Sequence, residues 1–164
     1  MSAQPSSPMP DATRALRDAF GAFATGVTVV TTMGKNGPEG ITANSFASVS
    51  LSPALALWSP AKSSQRFELF SQAPHYAIHV LGEDEQELAM RFTRGGAHFE
   101  GLDYSLSPEG VPLIDCGLAR FECSLFAAHD AGDHMVVIGE VLRHERHAGR
   151  PLIFSQGRFA NLAL

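Results

Sequence analysis

Two long runs of β-patterned sequence, GLARFECSLFAAH and HMVVIGEVLRHERH, meet at the turn-forming DAGD, and no other stretch restricts the fold of this chain as strongly. Both runs are rich in branched and aromatic residues, and the turn between them is short and polar, so they are expected to form one antiparallel pair. VTVVTT, ALALW and YAIHVL add three shorter strands, and MGKNGPEG supplies a turn after the first of them. LIFSQGRFANL closes the chain as a further short hairpin.

The helical signals are few. Asp11 is a plausible N-cap, and Leu16, Phe20 and Phe23 follow at i, i+4 and i+7, predicting an amphipathic helix that ends near Gly26. In SPAKSSQRFELF, Ser63 or Ser64 is placed to cap a helix carrying Phe67 and Phe70. DEQELAMRF reads as a third helix, with an acidic first turn and Arg91 near its end to suit the macrodipole. RGGAHFEGLDYSLSPEGVPLID is expected to be mainly loop. Many strands, three short helices and no regular βα alternation give a mainly β fold, an antiparallel barrel with peripheral helices.

A chain of 164 residues fits one domain, taken as residues 11–164 behind a Pro- and Ser-rich tail at 1–10. Its net charge of −5 and the lack of a basic run interleaved with aromatics exclude nucleic acid as an expected partner. The N-terminus lacks the pattern of a signal peptide and no segment is apolar for the roughly 20 residues of a membrane helix, so a cytoplasmic protein without a membrane partner is expected. Cys116 and Cys123 have no neighbours at disulfide or zinc-site spacing and read as structural thiols.

GxGxxG after a strand, GxxxxGK[ST], HExxH and GxSxG are all absent. His144 and His147 flank Glu145, but neighbours in a β run point to different faces, so no metal site is assigned. His75, His79, His98 and His129 have no motif around them. His134 differs, because Gly132-Asp133-His134 lies at a turn beside a long strand, where a side chain can reach a ligand at the barrel mouth.

The segment GITANSFASVS alternates with the period of a half-buried strand. Thr42, Asn44, Ser48 and Ser50 are polar, whereas Ile41, Ala43, Ala47, Val49 and Leu51 are apolar. Its polar side carries only short, uncharged hydrogen-bonding groups. By itself such a row also reads as an ordinary Ser- and Thr-rich surface strand.

Taken with the preceding FATGVTVVTT, GITANSFASVSLSP resembles the flavin-binding segment of the short-chain flavin reductase family, the NAD(P)H:flavin oxidoreductase components of two-component monooxygenases. GDHMVVIGEV resembles that family's GDH followed by GEV, and with the GRFANL ending the resemblance runs over residues 15–162. It implies an FMN-binding split barrel, usually a homodimer with flavin near the subunit interface. Thr42, Ala43, Asn44, Ser45, Ser48, Val49 and Ser50 would then form the ledge for the flavin ring. Ser59, Lys62, Ser63 and Ser64 would meet the flavin phosphate at a helix start. Phe92 matches an aromatic near the flavin, with a core role equally open. Arg158 and Phe159 match a C-terminal pair reaching flavin or phosphate, although the family often has Tyr at the second position and Gly where Ala160 stands. His134 would contact nicotinamide by hydrogen bonding or stacking, oriented by Asp133.

The implied cofactors are FMN or FAD with NADH or NADPH, and the implied partner is a separate monooxygenase that receives reduced flavin. Two alternatives stay open at this point. One is a split-barrel flavin-binding protein or sensor with little turnover. The other is a reductase of a different acceptor, such as a corrinoid or an iron chelate.

Overall fold

The computed structural model describes residues 10–163 and orders the chain around a seven-stranded antiparallel sheet. The elements are α1 (Pro10–Gly21), β1 (Thr25–Gly26), β2 (Thr28–Gly34), β3 (Gly37–Ala43), β4 (Ala47–Leu51) and β5 (Ala54–Trp58), then α2 (Phe67–Gln72), β6 (His75–Val80) and α3 (Gln86–Arg94). β7 (Tyr104–Leu106), β8 (Pro112–Ile114), β9 (Ala119–Ala131), β10 (His134–Arg146), β11 (Leu152–Ser155) and β12 (Arg158–Asn161) complete the chain. Apart from Pro10, where α1 begins, the expected N-terminal tail lies outside the described residues.

The order of the main sheet, β3-β2-β6-β9-β10-β5-β4, puts two consecutive strands at opposite edges. Laid flat, seven strands would separate those edges by roughly 29 Å. The link from Ala43 to Ala47 spans about 14 Å at most. The sheet therefore curls until its edges face one another, and β3 and β4 stay unpaired where they meet. That is a barrel split along one seam, as the strand patterning implied, and the seam falls in the middle of GITANSFASVS.

The two long runs form the expected pair. His134 sits opposite Ala131 across a two-residue turn, and Gly132 at φ 71° supplies the conformation that turn requires. Irregularities in the register leave Phe126 of β9 and Leu142 of β10 without partners, and both side chains are exposed.

Trp58, Phe70, Tyr76, Ile78, Val30, Cys123 and Val137 fill the barrel interior. A second core lies outside the barrel wall, where Val29 and Leu81 pack with Ala89 and Phe92 of α3 and with Phe99, Ile114 and Leu152. This explains why VTVVTT does not alternate: from Thr28 to Thr32 both faces of β2 are covered, and Val27 just before it is buried too. His79 lies on the covered outer side, where its Nδ1 is 3.0 Å from the Val29 carbonyl and its Nε2 accepts from Ile114 N–H at 3.1 Å.

Three local expectations change. α1 stops at Gly21 instead of running to Gly26, because the chain enters β1. Neither Ser63 nor Ser64 caps α2, which starts only at Phe67 behind Arg66 and has no side-chain cap. The expected long loop contains the paired strands β7 and β8, whose β8 closes over β2 and β6.

Candidate functional site

The seam of the barrel is where the polar segment breaks. Thr42, the last polar residue on β3, donates its hydroxyl to the Ala89 carbonyl at 2.5 Å and so ties β3 to α3. The Ala43 carbonyl accepts from Thr28 Oγ1 at 2.7 Å. Asn44 projects into solvent at the crossing. Ser45 turns inward, its Oγ accepting the Ser59 amide at 2.8 Å and thereby pinning the crossing to the end of β5.

On β4 the register shifts between Ser48 and Ser50, so Val49 has no partner on β5. Ser48 and Val49 are exposed and Ser50 is half-buried. The expectation of one polar row on one strand face is therefore corrected. Its residues belong to two strands and a crossing, and the bulge re-aims side chains at Val49. Periodicity reads the same on both sides of the seam and does not reveal the break.

The Ser59–Ser64 segment is held against the β9–β10 turn by backbone. Lys62 N–H donates to the Asp133 carbonyl at 2.9 Å, Met135 N–H donates to the Pro60 carbonyl at 3.1 Å, and Ala61 forms an isolated bridge with His134. Lys62 Nζ is 2.8 Å from Asp130 Oδ1, which holds the Asp130 carboxyl below the usual carboxylate range. His134 Nδ1 is 2.7 Å from Asp133 Oδ1, and the hydrogen bond lowers the pKa of that carboxyl in turn. The outer edge of the imidazole is left to solvent, with 45% of the side chain exposed.

This arrangement brings Ser45, Ser59, Lys62 and His134 to one end of the barrel. It withholds the helix terminus expected for an anion. Ser64 Oγ accepts from Arg66 N–H at 3.2 Å, and the chain turns through residues 62–66 before α2 begins. Lys62 and the exposed Ser63 are the groups left to meet a negative charge.

Of the two roles left open for Phe92, flavin contact and core packing, the structure takes the core one. Phe92 is wholly buried, its ring seated on Gly40, where an added Cβ would come within 2.7 Å of it, and tilted against Phe99. Arg66, which the sequence reading passed over, closes this corner by donating from Nη1 to the Gly40 carbonyl at 2.8 Å and the Phe92 carbonyl at 2.7 Å. Burial lowers its pKa against the opposing pull of Glu39. An Arg with no motif around it left no signal to find.

Asn44 also faces a cavity of about 630 Å³, whose other walls include Phe20 at the end of α1, Phe23 just beyond it, Thr25, and Phe154 to Gly157 of the C-terminal hairpin. The volume suits a ring-sized ligand. Arg158 is exposed next to this turn, and Phe159 packs edge-on against Phe154 with centroids 5.4 Å apart. The aromatic walls from α1 were legible only as helix-face residues. A larger, open groove of about 1180 Å³ runs along α3 between Asp84 and Leu102 and contains none of the site candidates.

Residues 20–163 match the family model described as flavin reductase like domain. FMN reductase (NADH) SmoA of Agrobacterium fabrum is 57% identical over 150 residues, covering 92% of this chain and 86% of that protein. The reductase component of flavin-dependent trigonelline monooxygenase from Acinetobacter baylyi is 49% identical over 130 residues, or 78% of this chain. The match spans only 42% of that longer protein. NADH:FAD oxidoreductase SgcE6 of Streptomyces globisporus C-1027, solved with NAD and FAD fragments, superposes with a TM-score of 0.85 at 38% identity, covering 97% of this chain and 98% of that one.

Proposed function

This chain belongs to the flavin reductase-like family and is an NAD(P)H:flavin oxidoreductase, and from that premise we propose how its own residues divide the work. When bound, the dinucleotide and the flavin supply the redox chemistry between them, a hydride passing from reduced nicotinamide to the flavin ring. The protein has to hold two rings in register, bind an anionic tail and keep the rings apart from bulk water.

The residues fit such ligands. Asn44, Ser48 and Ser50, with the backbone around Ala43, Ser45 and Val49, offer uncharged donors and acceptors for a polar ring edge, and the aromatic-walled cavity beside Asn44 offers apolar faces. Thr42 serves the ledge indirectly, because its hydroxyl proton is committed to α3. Lys62 and Ser63, with Ser59 and Ser64 shaping their turn, receive the phosphate, and Arg158 with Phe159 closes the cavity from the C-terminal hairpin. His134 contacts the nicotinamide with its exposed edge while Asp133 fixes its ring. The observation that carries this reading is the clamp of Lys62 and Pro60 onto Asp133 and Met135, which joins the phosphate loop and the His134 turn into one body.

The relatives above include a monooxygenase reductase component, and we assign to this chain the same delivery of reduced flavin to a separate oxygenase. We place it in the cytoplasm, where reduced dinucleotide is made; among the described residues no helix is long and apolar enough to cross a membrane. We further assign a homodimer. Val49, Phe126 and Leu142, each displaced by a bulge, stand exposed on β4, β9 and β10, and so do Leu16 and Phe20 of α1 and Phe23 just beyond it. These exposed apolar side chains are what supports the assignment, a second copy being the partner that would cover them.

The test is aerobic loss of NADH absorbance by purified protein with no flavin, with FMN and with FAD. Rapid loss only with added flavin is the expected result and names the preferred flavin. Bound flavin without NADH consumption would replace this reading with that of a flavin-binding protein.

A further inference from the structure

Lys62 does not stand free beside the loop assigned above to the flavin phosphate. Its ammonium is engaged with Asp130 at 2.8 Å, across a gap of 68 residues in sequence, while its own amide is fixed to the Asp133 carbonyl. Asp130 is the penultimate residue of β9, just before the turn that carries Gly132-Asp133-His134. The pair is open to solvent, with Lys62 34% and Asp130 76% exposed, so it can be broken and remade without unfolding anything.

An ammonium is a compact point charge on a flexible stem. Its backbone anchor sets how far that stem can swing, and here the anchor lies on the same turn as the carboxylate. A phosphate reaching Ser63 and Lys62 therefore meets Asp130 as a competitor for the ammonium. Its binding gains less from Lys62 than an unengaged ammonium would give.

We propose that Asp130 sets the affinity for the flavin phosphate by competing with it for Lys62, so that the enzyme holds phosphorylated flavin loosely enough to hand it on. The proposal rests on the assignment of Lys62 to the phosphate. It concerns the phosphate alone, and riboflavin, which has the same ring and no phosphate, is the control. Asp133 does not substitute for Asp130, because its carboxylate is occupied by His134.

The experiment measures dissociation constants of FMN and riboflavin, by quenching of flavin fluorescence, for the wild type, D130N, K62M and the double variant. D130N is expected to tighten FMN roughly two- to fivefold, the scale of one exposed ion pair, and to leave riboflavin unchanged. On the K62M background D130N is expected to do nothing. If D130N tightens FMN equally without Lys62, the effect is diffuse charge and the competition is overturned. If D130N weakens FMN or leaves it unchanged while K62M weakens FMN alone, Lys62 takes the phosphate but Asp130 is no competitor. If K62M leaves the FMN to riboflavin ratio unaltered, the phosphate assignment itself falls.

Discussion

His134 and His79 carry the same ring in opposite surroundings. His134 is held by one carboxylate and otherwise faces water, so it is free to meet a ligand. Replacing it with alanine is expected to slow flavin reduction at saturating NADH about tenfold, the scale of one hydrogen bond or ring contact, while flavin affinity stays within about twofold. Stopped-flow reduction together with a flavin titration checks this; collapsed flavin binding with a preserved saturating rate would remove the role.

His79 is wholly buried between two backbone groups, and burial pushes its pKa down to about 4. Between that value and the ordinary 6.5, the unfolded chain binds a proton that the folded chain refuses. The stabilisation is therefore complete above about pH 6.5 and is lost as the pH falls toward 4, a change of about 3 kcal/mol. Urea denaturation of the wild type and H79Q at pH 7 and pH 4.5 should show a smaller pH dependence in the variant. Sequence gave His79 no distinguishing mark, since its hydrogen bonds to Val29 and Ile114 exist only after β2, β6 and β8 assemble.

Among the elements, β10 shows how the GEV block fits the barrel. Gly139 lies at the register shift opposite β9, and a Cβ there would come within 2.2 Å of the Tyr76 hydroxyl and 2.9 Å of Cys123 Cβ. Gly139→Ala is expected to destabilise the protein by about 1–3 kcal/mol, because a buried tyrosine must move. The Tyr76 hydroxyl is buried with no hydrogen-bond partner among the described residues, so Tyr76→Phe alone should cost little. Melting temperatures should show Tyr76→Phe recovering only part of what Gly139→Ala loses, since the ring carbon Cζ and Cys123 Cβ stay at 2.9 Å; no recovery would mean that these two, not the hydroxyl, are the obstacle. The block was legible as a motif, but the reason for its glycine lies on β6.

For the whole molecule, the uncovered apolar residues bear on assembly. If the proposed dimer forms, Phe126→Asp is expected to shift it to monomer in sedimentation velocity and to weaken flavin binding together with dimerisation. An unaltered dimer would move the interface away from the β9 bulge. Phe20 and Phe23 stand exposed where they line the cavity beside Asn44.

Local chemistry in the sequence determined the longer strands, the tight β9–β10 turn, the amphipathic α1, and the set of small polar residues around Asn44, because alternation, turn residues and helical spacing act over a few residues. Only the tertiary structure decided that this polar set straddles a seam, that Phe92 is core, and that Lys62 meets Asp130 beside His134. Those outcomes depend on curling a sheet whose consecutive strands β3 and β4 lie at opposite edges. The pairings that curl it join residues tens of positions apart, where periodicity carries no information.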